Sequence, residues 1–225
     1  MSEKNPIGHP LAAVPYFGRL SPETLDAIAA AATQRRYARG EVVFLEREPC
    51  AGLYVLLDGW LKVVKTSLAG REQVVRFVAP GESFGEFSVF IGAPNPATVI
   101  ALEDVVAWLI GREAILGLLE CHADLCRAVI EVLALRTQYL VDLVEDISLR
   151  SVEARLARFI LDEARDGVLQ RRRWATQAEL AARIGTVLDV LNRGLGAMVD
   201  EGLIRMNRRS ITILDREGLQ ARAES

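Results

Sequence analysis

Cysteine and histidine are scarce in this chain. It has three cysteines, Cys50, Cys121 and Cys126, and two histidines, His9 and His122, in 225 residues. Three cysteines build no disulfide framework, and they exclude a four-cysteine iron–sulfur cluster within one chain. Their expected place is as small apolar residues in a core. Neither a histidine-centred triad nor a metal-ligand cluster nor a glycine-rich phosphate loop is present, so the chain reads as no enzyme and as holding no metal. No apolar run approaches the roughly 20 residues of a membrane span. The opening MSEKNPIGHP lacks the apolar core of a signal peptide. A cytoplasmic protein without a membrane partner is expected. The run Asp142–Asp146, with Glu145, reads as a solvated helix face rather than a catalytic carboxylate pair.

What is present is most informative between Ala175 and Leu203. Thr176 followed by Glu179 forms a capping box, Leu180 and Ile184 give an apolar i, i+4 stripe, and Gly185 suits the left-handed end of a helix. Thr186 followed by Asp189 reads as a second capping box. Val187, Val190, Leu191, Leu195, Met198 and Val199 supply the expected buried side of the second helix. Two capped helices around a short glycine turn are the arrangement of a DNA-binding helix-turn-helix; an ordinary helical corner is the alternative. Ile204–Leu214 then reads as a β-hairpin whose turn carries Asn207, Arg208, Arg209 and Ser210, which makes the motif a winged one. Gly194 and Gly196 weaken the second helix and are expected to permit close packing against the first.

Charge is distributed accordingly. The net formal charge is −3, yet the segment from Ser148 onward has 14 basic and 11 acidic residues, against 13 and 19 before it. The split is +3 against −6, and the basic excess lies with the segment expected to meet phosphates.

Toward the N-terminus, Leu11–Thr33 reads as a helix, with Ser21 as cap, Pro22 in its first turn, and Glu23 and Asp26 near its positive end. From Arg35 to Ile110 short apolar runs recur at Val42–Leu45, Leu53–Leu57, Leu61–Val64, Val74–Val78, Ala97–Leu102 and Val105–Ile110. Turn signals at Arg39-Gly40, Asp58-Gly59, Ala69-Gly70, Pro80-Gly81 and Glu103-Asp104 separate them, which indicates an antiparallel sandwich or small barrel. Arg112–Glu145 reads as helical, with His122 as a loop or cap residue. Cys126, Val129, Leu133, Arg136, Leu140, Leu143 and Ile147 recur at alternating spacings of three and four, the pattern of a coiled-coil seam. A parallel dimer buries such a seam; one helix packed on its own β domain is the alternative. Arg136 interrupts the stripe, and fixing register, pairing with an acid and reaching toward a ligand are its candidate roles.

A barrel, a long helix and a winged helix in that order resemble the CRP/FNR superfamily of transcription regulators over nearly the whole chain. Gly40-Glu41-Val42-Val43-Phe44 resembles its early barrel strand, Leu53–Gly59 the strand and turn after it, and Pro80–Glu86 the approach to its ligand cassette. Thr176–Leu203 matches its helix-turn-helix without gaps. The expected fold is thus α+β, in three parts. Residues 1–111 form an N-terminal double-stranded β-helix, or jelly-roll, sensor barrel. Residues 112–148 form a dimerisation helix and hinge, and residues 149–225 a winged helix-turn-helix. The resemblance implies a homodimeric regulator bound to a near-palindromic double-stranded DNA operator, and leaves RNA polymerase open as a further partner. Expected dimer residues are Val129, Leu133, Arg136, Leu140, Leu143 and Ile147. Expected DNA-facing residues are Thr176, Gln177, Val187, Leu188, Asp189, Asn192, Arg193, Arg208 and Arg209.

The resemblance also marks departures. In cyclic-nucleotide-binding members a glutamate holds the ribose 2′-hydroxyl, and an arginine and a serine hold the cyclic phosphate. Gly85 and Glu86 match the start of that cassette, but the arginine and serine positions hold Pro96 and Ala97, and Ile91–Ala97 contains no cation. A buried phosphate there lacks a charged partner. The polar pair that touches the adenine falls at Leu140 and Val141. The effector-pocket positions Gly85, Glu86, Pro96, Ala97, Arg136 and Leu140 therefore read as unable to take a cyclic nucleotide, with Glu86 a remnant that satisfies backbone donors. No cofactor is expected; haem on His9 or His122 and thiol sensing at Cys121 or Cys126 stay open as alternatives, as does a ligand-binding module without DNA function. On the recognition helix many relatives carry Arg-Glu and then Arg four residues on; here Leu188, Asp189 and Arg193 stand there. Arg193 keeps a guanine-reading guanidinium, Asp189 is suited to a cytosine amino group, and Leu188 is suited to a thymine methyl.

Overall fold

The computed structural model describes residues 17–67, 70, 72–170, 172 and 174–224. His9, the Leu11–Tyr16 part of the first expected helix and Ala69 of one expected turn lie outside the described residues. The chain divides into two compact units, Met1–Gly70 with Val75–Thr137, and Arg71–Val74 with Gln138–Ser225.

In the first unit, α1 (Pro22–Ala31) begins where Ser21 Oγ accepts from the Thr24 amide at 3.2 Å. It is shorter than expected, because Ala32 is already extended. Ala32–Tyr37 is instead β1, an edge strand paired antiparallel with β8. Its sequence ATQRRY is polar and largely exposed, which hides it from a search for apolar runs. The expected runs become β2 (Val42–Phe44), β3 (Gly52–Asp58), β4 (Leu61–Thr66) and β5 (Glu72–Val78). A two-residue β6 (Ser83–Phe84) and the short helix α2 (Glu86–Ile91) precede β7 (Thr98–Ala101) and β8 (Val105–Gly111). One sheet runs β1-β8-β3-β6 and the other β2-β7-β4-β5. Side chains of both sheets share a core of Tyr54, Leu56, Leu61, Val78, Phe84, Val99 and Val105. Tyr54 and Phe84 stack within it, ring centroids 4.8 Å apart. The alternate residues of β3, Leu53 and Val55, face a second core with Leu25, Ile28, Ile115, Leu125 and Val129. Burial on both faces explains why β3 reads as a continuous apolar run.

The helical region after β8 is divided at His122, the expected loop or cap residue, into α3 (Arg112–Cys121) and α4 (Ala123–Leu149). His122 sits between them in extended conformation; its amide closes α3 on Leu118 and its carbonyl opens α4 to Cys126. Asp124 accepts from the Ser21 amide at 2.8 Å and from the Thr24 hydroxyl at 3.0 Å, joining the start of α4 to the cap of α1. These bonds, the Ser21 amide first, hold the Asp124 carboxyl below the usual carboxylate range.

The residues of the expected seam on α4 differ in exposure. Leu133, Leu140 and Ile147 are exposed, but Val129 is buried in the core of its own barrel and Arg136 turns to a barrel carboxylate. The exposed stripe is Ile130, Leu133, Thr137, Leu140, Val144 and Ile147, with Ile130 66% and Val144 63% exposed. The first of the two alternating positions is thus shifted by one residue from Val129, Arg136 and Leu143 to Ile130, Thr137 and Val144. The acidic face is not simply solvated either. Asp146 pairs with Arg150 at 2.8 Å and Arg158 at 3.2 Å, and Glu145 pairs with Arg150 at 2.9 Å. Among the described residues no helix is long and apolar enough to cross a membrane.

The second unit adds α5 (Val152–Glu163), β9 (Val168–Gln170), α6 (Gln177–Ile184), α7 (Leu188–Asp200), β10 (Ile204–Met206), β11 (Ser210–Ile213) and α8 (Arg216–Ala223). Ser151 caps α5 by accepting from the Ala154 amide at 3.1 Å, and Asp215 caps α8 through Gly218 at 3.0 Å. The expected hairpin is the β10–β11 pair, extended by β9 on the far side of β11. Leu156 and Ile160 of α5, Ile184 of α6, and Leu191, Leu195 and Met198 of α7 pack with Ile204, Ile211 and Leu219 into one core.

The two glycines of α7 differ. A Cβ on Gly194 would lie 3.3 Å from Leu156 Cδ2, so the close approach is to α5 rather than to α6. A Cβ on Gly196 would meet nothing within 4 Å. Gly196→Ala is therefore expected to stabilise the protein by about 0.8–1 kcal/mol through helix propensity. Gly194→Ala should gain less, because Leu156 must give way. Thermal unfolding of the two variants checks this, and equal gains would remove the packing role of Gly194.

Candidate functional site

The first candidate site lies in the barrel. Gly85, in left-handed conformation, starts α2, and Glu86 is its first residue, 3% exposed. The expected backbone donors are not what holds Glu86. Arg136 reaches in from α4 and pairs with Glu86 Oε2, while its guanidinium also donates to the Ser83 carbonyl and, at 3.3 Å, to Ser83 Oγ. Arg76 donates to the same carbonyl at 2.7 Å and pairs with Glu82 at 3.3 Å. Two guanidinium groups and a buried carboxylate thus converge on β6. Of the three candidate roles of Arg136, pairing with an acid is present in the structure.

The cassette segment further on is tied down differently. Asn95 is buried; its amide donates to Glu48, its carbonyl accepts from Arg47, and its side chain donates to Leu45. Ala97 is buried and Pro96 exposed, with the Pro96 carbonyl accepting from Lys65 Nζ at 2.7 Å. Lys65 also pairs with Glu46 at 2.6 Å. A cation therefore does stand beside Pro96, brought by β4 from 31 positions away and already engaged by a carboxylate; spacing along the chain could not reveal it. Leu140 is exposed on α4.

None of the three cysteines is fully buried as expected. Cys121 is exposed, whereas Cys50 and Cys126 are partly buried. Burial pushes the Cys50 thiol up, away from the reactive thiolate. Cys126 donates to the Leu119 carbonyl at 3.0 Å, and His122 Nδ1 lies 3.1 Å from the Thr24 hydroxyl.

The second candidate site is in the second unit. Thr176 caps α6 by accepting from the Glu179 amide at 3.2 Å, and Gly185 ends it at φ 75°. Three residues, Gly185, Thr186 and Val187, separate α6 from α7. The second capping box does not form. Val187 occupies the cap position of α7, no side chain caps that helix, and Asp189 instead pairs with Arg193 at 3.4 Å. Thr186 stands one residue too early, because its amide is still bonded to Ala181 at the end of α6. Val187 and Val199 are exposed, not buried; the face of α7 turned from the core carries Val187, Leu188, Asp189, Asn192, Arg193 and Gly196. The core side is filled by Leu191, Gly194, Leu195 and Met198.

The hairpin turn is built by Asn207. Its Oδ1 accepts from the amides of Arg209 at 2.7 Å and Ser210 at 2.8 Å, and its Nδ2 donates to Ser210 Oγ at 2.9 Å. Arg208 and Arg209 project from the turn into solvent. An open groove of about 930 Å³ runs between this turn and the start of α6, lined by Thr176, Gln177, Arg208, Arg209 and two residues the sequence reading did not single out, Gln170 and Arg172. Ser210 pairs with Gln170 across the β9–β11 ladder, so the chain leaving β9 emerges beside the turn. The signal for it was the run Gln170-Arg171-Arg172-Arg173.

Residues 34–122 match the cyclic nucleotide-binding domain, and residues 154–222 the Crp-like helix-turn-helix domain. The chain is 27% identical over 219 residues to a CRP-like cAMP-activated global transcriptional regulator of Mycobacterium tuberculosis, spanning 95% of this chain and 98% of that one. It is 29% identical over 203 residues to the cyclic AMP receptor protein of Thermus thermophilus, spanning 88% and 92%. The structure of FixK2 from Bradyrhizobium japonicum shares the fold, with a TM-score of 0.74 at 21% identity over 85% of this chain and 96% of that one.

Arg136→Met should leave Glu86 buried without its cation and cost about 3–5 kcal/mol, the range for breaking one side of a buried pair. The double variant Arg136→Met/Glu86→Gln should recover part of that loss. Urea unfolding of wild type, single and double variants measures both, and additive losses would show that the pair is not coupled.

Proposed function

The chain belongs to the CRP/FNR superfamily of transcription regulators, and we propose that it acts as a cytoplasmic homodimer on a near-palindromic operator, under a signal other than a cyclic nucleotide. The observation that carries the DNA reading is the pairing of two surfaces in one unit: the polar outward face of α7 and the arginine-bearing turn beside α6. In this reading Arg193 meets a guanine, and Gln177, Arg208 and Arg209 meet phosphates. The chain is then a regulator without catalytic function. The dimer reading rests on the exposed stripe of α4. Six seam positions at heptad spacing, five of them apolar, lie in water unless a second copy covers them. The signal reading rests on Pro96 and Ala97, which supply no donor side chain where the cyclic phosphate is held, and on Lys65, whose ammonium is engaged by Glu46.

Selection from a random duplex library should enrich a near-palindrome with half-sites about one helical turn apart. Binding to it should be unchanged by cyclic AMP or cyclic GMP at physiological concentration. Arg208→Ala should weaken specific and non-specific DNA alike and lower the salt dependence by roughly one phosphate per subunit. A non-palindromic consensus would overturn the operator model, and calorimetric binding of a cyclic nucleotide at micromolar concentration would overturn the signal model.

Val144→Glu places a charge in the stripe and should give monomers by sedimentation. An intact dimer for that variant would refute the seam.

A further inference from the structure

We propose that Arg172, with Gln170 beside it, binds a DNA phosphate of its own, apart from those met by the hairpin turn; this rests on the DNA reading of the second unit given above. Neither residue lies on α6, on α7 or in the β10–β11 turn. Gln170 ends β9, and Arg172 stands in the connection from β9 to α6. Both are exposed, and both line the groove that Thr176, Arg208 and Arg209 also line. The connection is held at its far end. The Arg172 carbonyl accepts from the Ala175 amide at 3.0 Å, the Trp174 carbonyl accepts from the Thr176 amide at 2.8 Å, and Trp174 is buried. At its near end Gln170 is paired with Ser210, the residue that follows the arginines of the turn. Arg172 is thus carried between two fixed points.

The lining of the groove selects an anion. Its three charged residues are Arg172, Arg208 and Arg209, and among the described residues no carboxylate lines it. The cations come from two separate chain segments, so the positive charge is not gathered at the hairpin tip alone. The groove is open to solvent, whereas a small-molecule site buries most of its ligand. A strand that passes through suits it better. A DNA backbone offers phosphates in a continuous row, and a guanidinium fork bonds two oxygens of one phosphate at once. Gln170 adds an amide donor next to that fork. Such a contact reads no base; it adds affinity and fixes how the unit lies on the duplex.

The test neutralises phosphates one at a time. Methylphosphonate linkages are placed singly along the operator obtained by selection. Affinity is measured by fluorescence anisotropy over a salt series for wild type, Arg172→Gln, Arg172→Lys and Arg208→Ala. Arg172→Gln should lower the magnitude of the salt slope by roughly 0.9 per half-site and leave the consensus unchanged. Arg172→Lys should keep the slope, because counterion release follows charge. One linkage per half-site should weaken wild type but not Arg172→Gln, and it should differ from the linkage to which Arg208→Ala is indifferent. A wild-type slope for Arg172→Gln, an equal loss for Arg172→Lys, or one linkage shared by both arginines overturns the inference while leaving the DNA reading intact. A library that yields no enriched sequence overturns both.

Discussion

The ion pair between Arg136 and Glu86 sets the rotation of the long helix. A guanidinium on α4 that must meet a carboxylate within the barrel turns one face of the helix inward. Val129, two turns earlier, falls on that face and is buried in the barrel core. The positions one residue on, Ile130 and Thr137, then face outward with Leu133, and the same phase continues to Leu140, Val144 and Ile147. A single buried pair thus accompanies the phase in which Ile130, Leu133 and Thr137 are left exposed. Breaking it would leave a buried carboxylate without its cation, so the helix has little freedom to slip.

Much of the architecture was legible in the sequence. The β strands with buried side chains announced themselves as apolar runs, and β3 most of all because both of its faces are covered. The first helix of the winged motif was legible from Thr176, Glu179 and Gly185, whose chemistry is local. What escaped was structure that local chemistry does not encode. Strand β1 is a polar edge strand, recognisable only through its partner β8. Helix α5 was overlooked although Ser151, Leu156 and Ile160 carry a cap and an i, i+4 stripe. The seam on α4 was ambiguous by one residue at alternate positions, because Val129 and Leu143 are as apolar as Ile130 and Val144. Packing of Val129 in the barrel core, not periodicity, is what turns Ile130 outward. The second capping box failed because Thr186 still belongs to the closing turn of α6.

In the barrel, the residues with ligand-binding character are turned on one another. Glu86 holds Arg136, Arg136 and Arg76 share the Ser83 carbonyl, Lys65 lies between Glu46 and Pro96, and Asn95 is sewn to residues 45–48. A sequence shows Pro96 and Ala97 where the resemblance leads one to expect an arginine and a serine. It does not show that the replacement segment satisfies its polar groups through a loop some 50 positions earlier.

The turn at Asn207 has a consequence for binding thermodynamics. Three hydrogen bonds from one side chain, to the Arg209 and Ser210 amides and the Ser210 hydroxyl, lock the backbone that carries Arg208 and Arg209. Ordering a loose loop on a target subtracts from affinity through lost conformational entropy. Here the backbone is ordered before any encounter, and only the arginine rotamers remain to be fixed. Contact with a polyanion at this tip would accordingly be rigid-body docking rather than coupled folding, leaving the entropic penalty to two side chains.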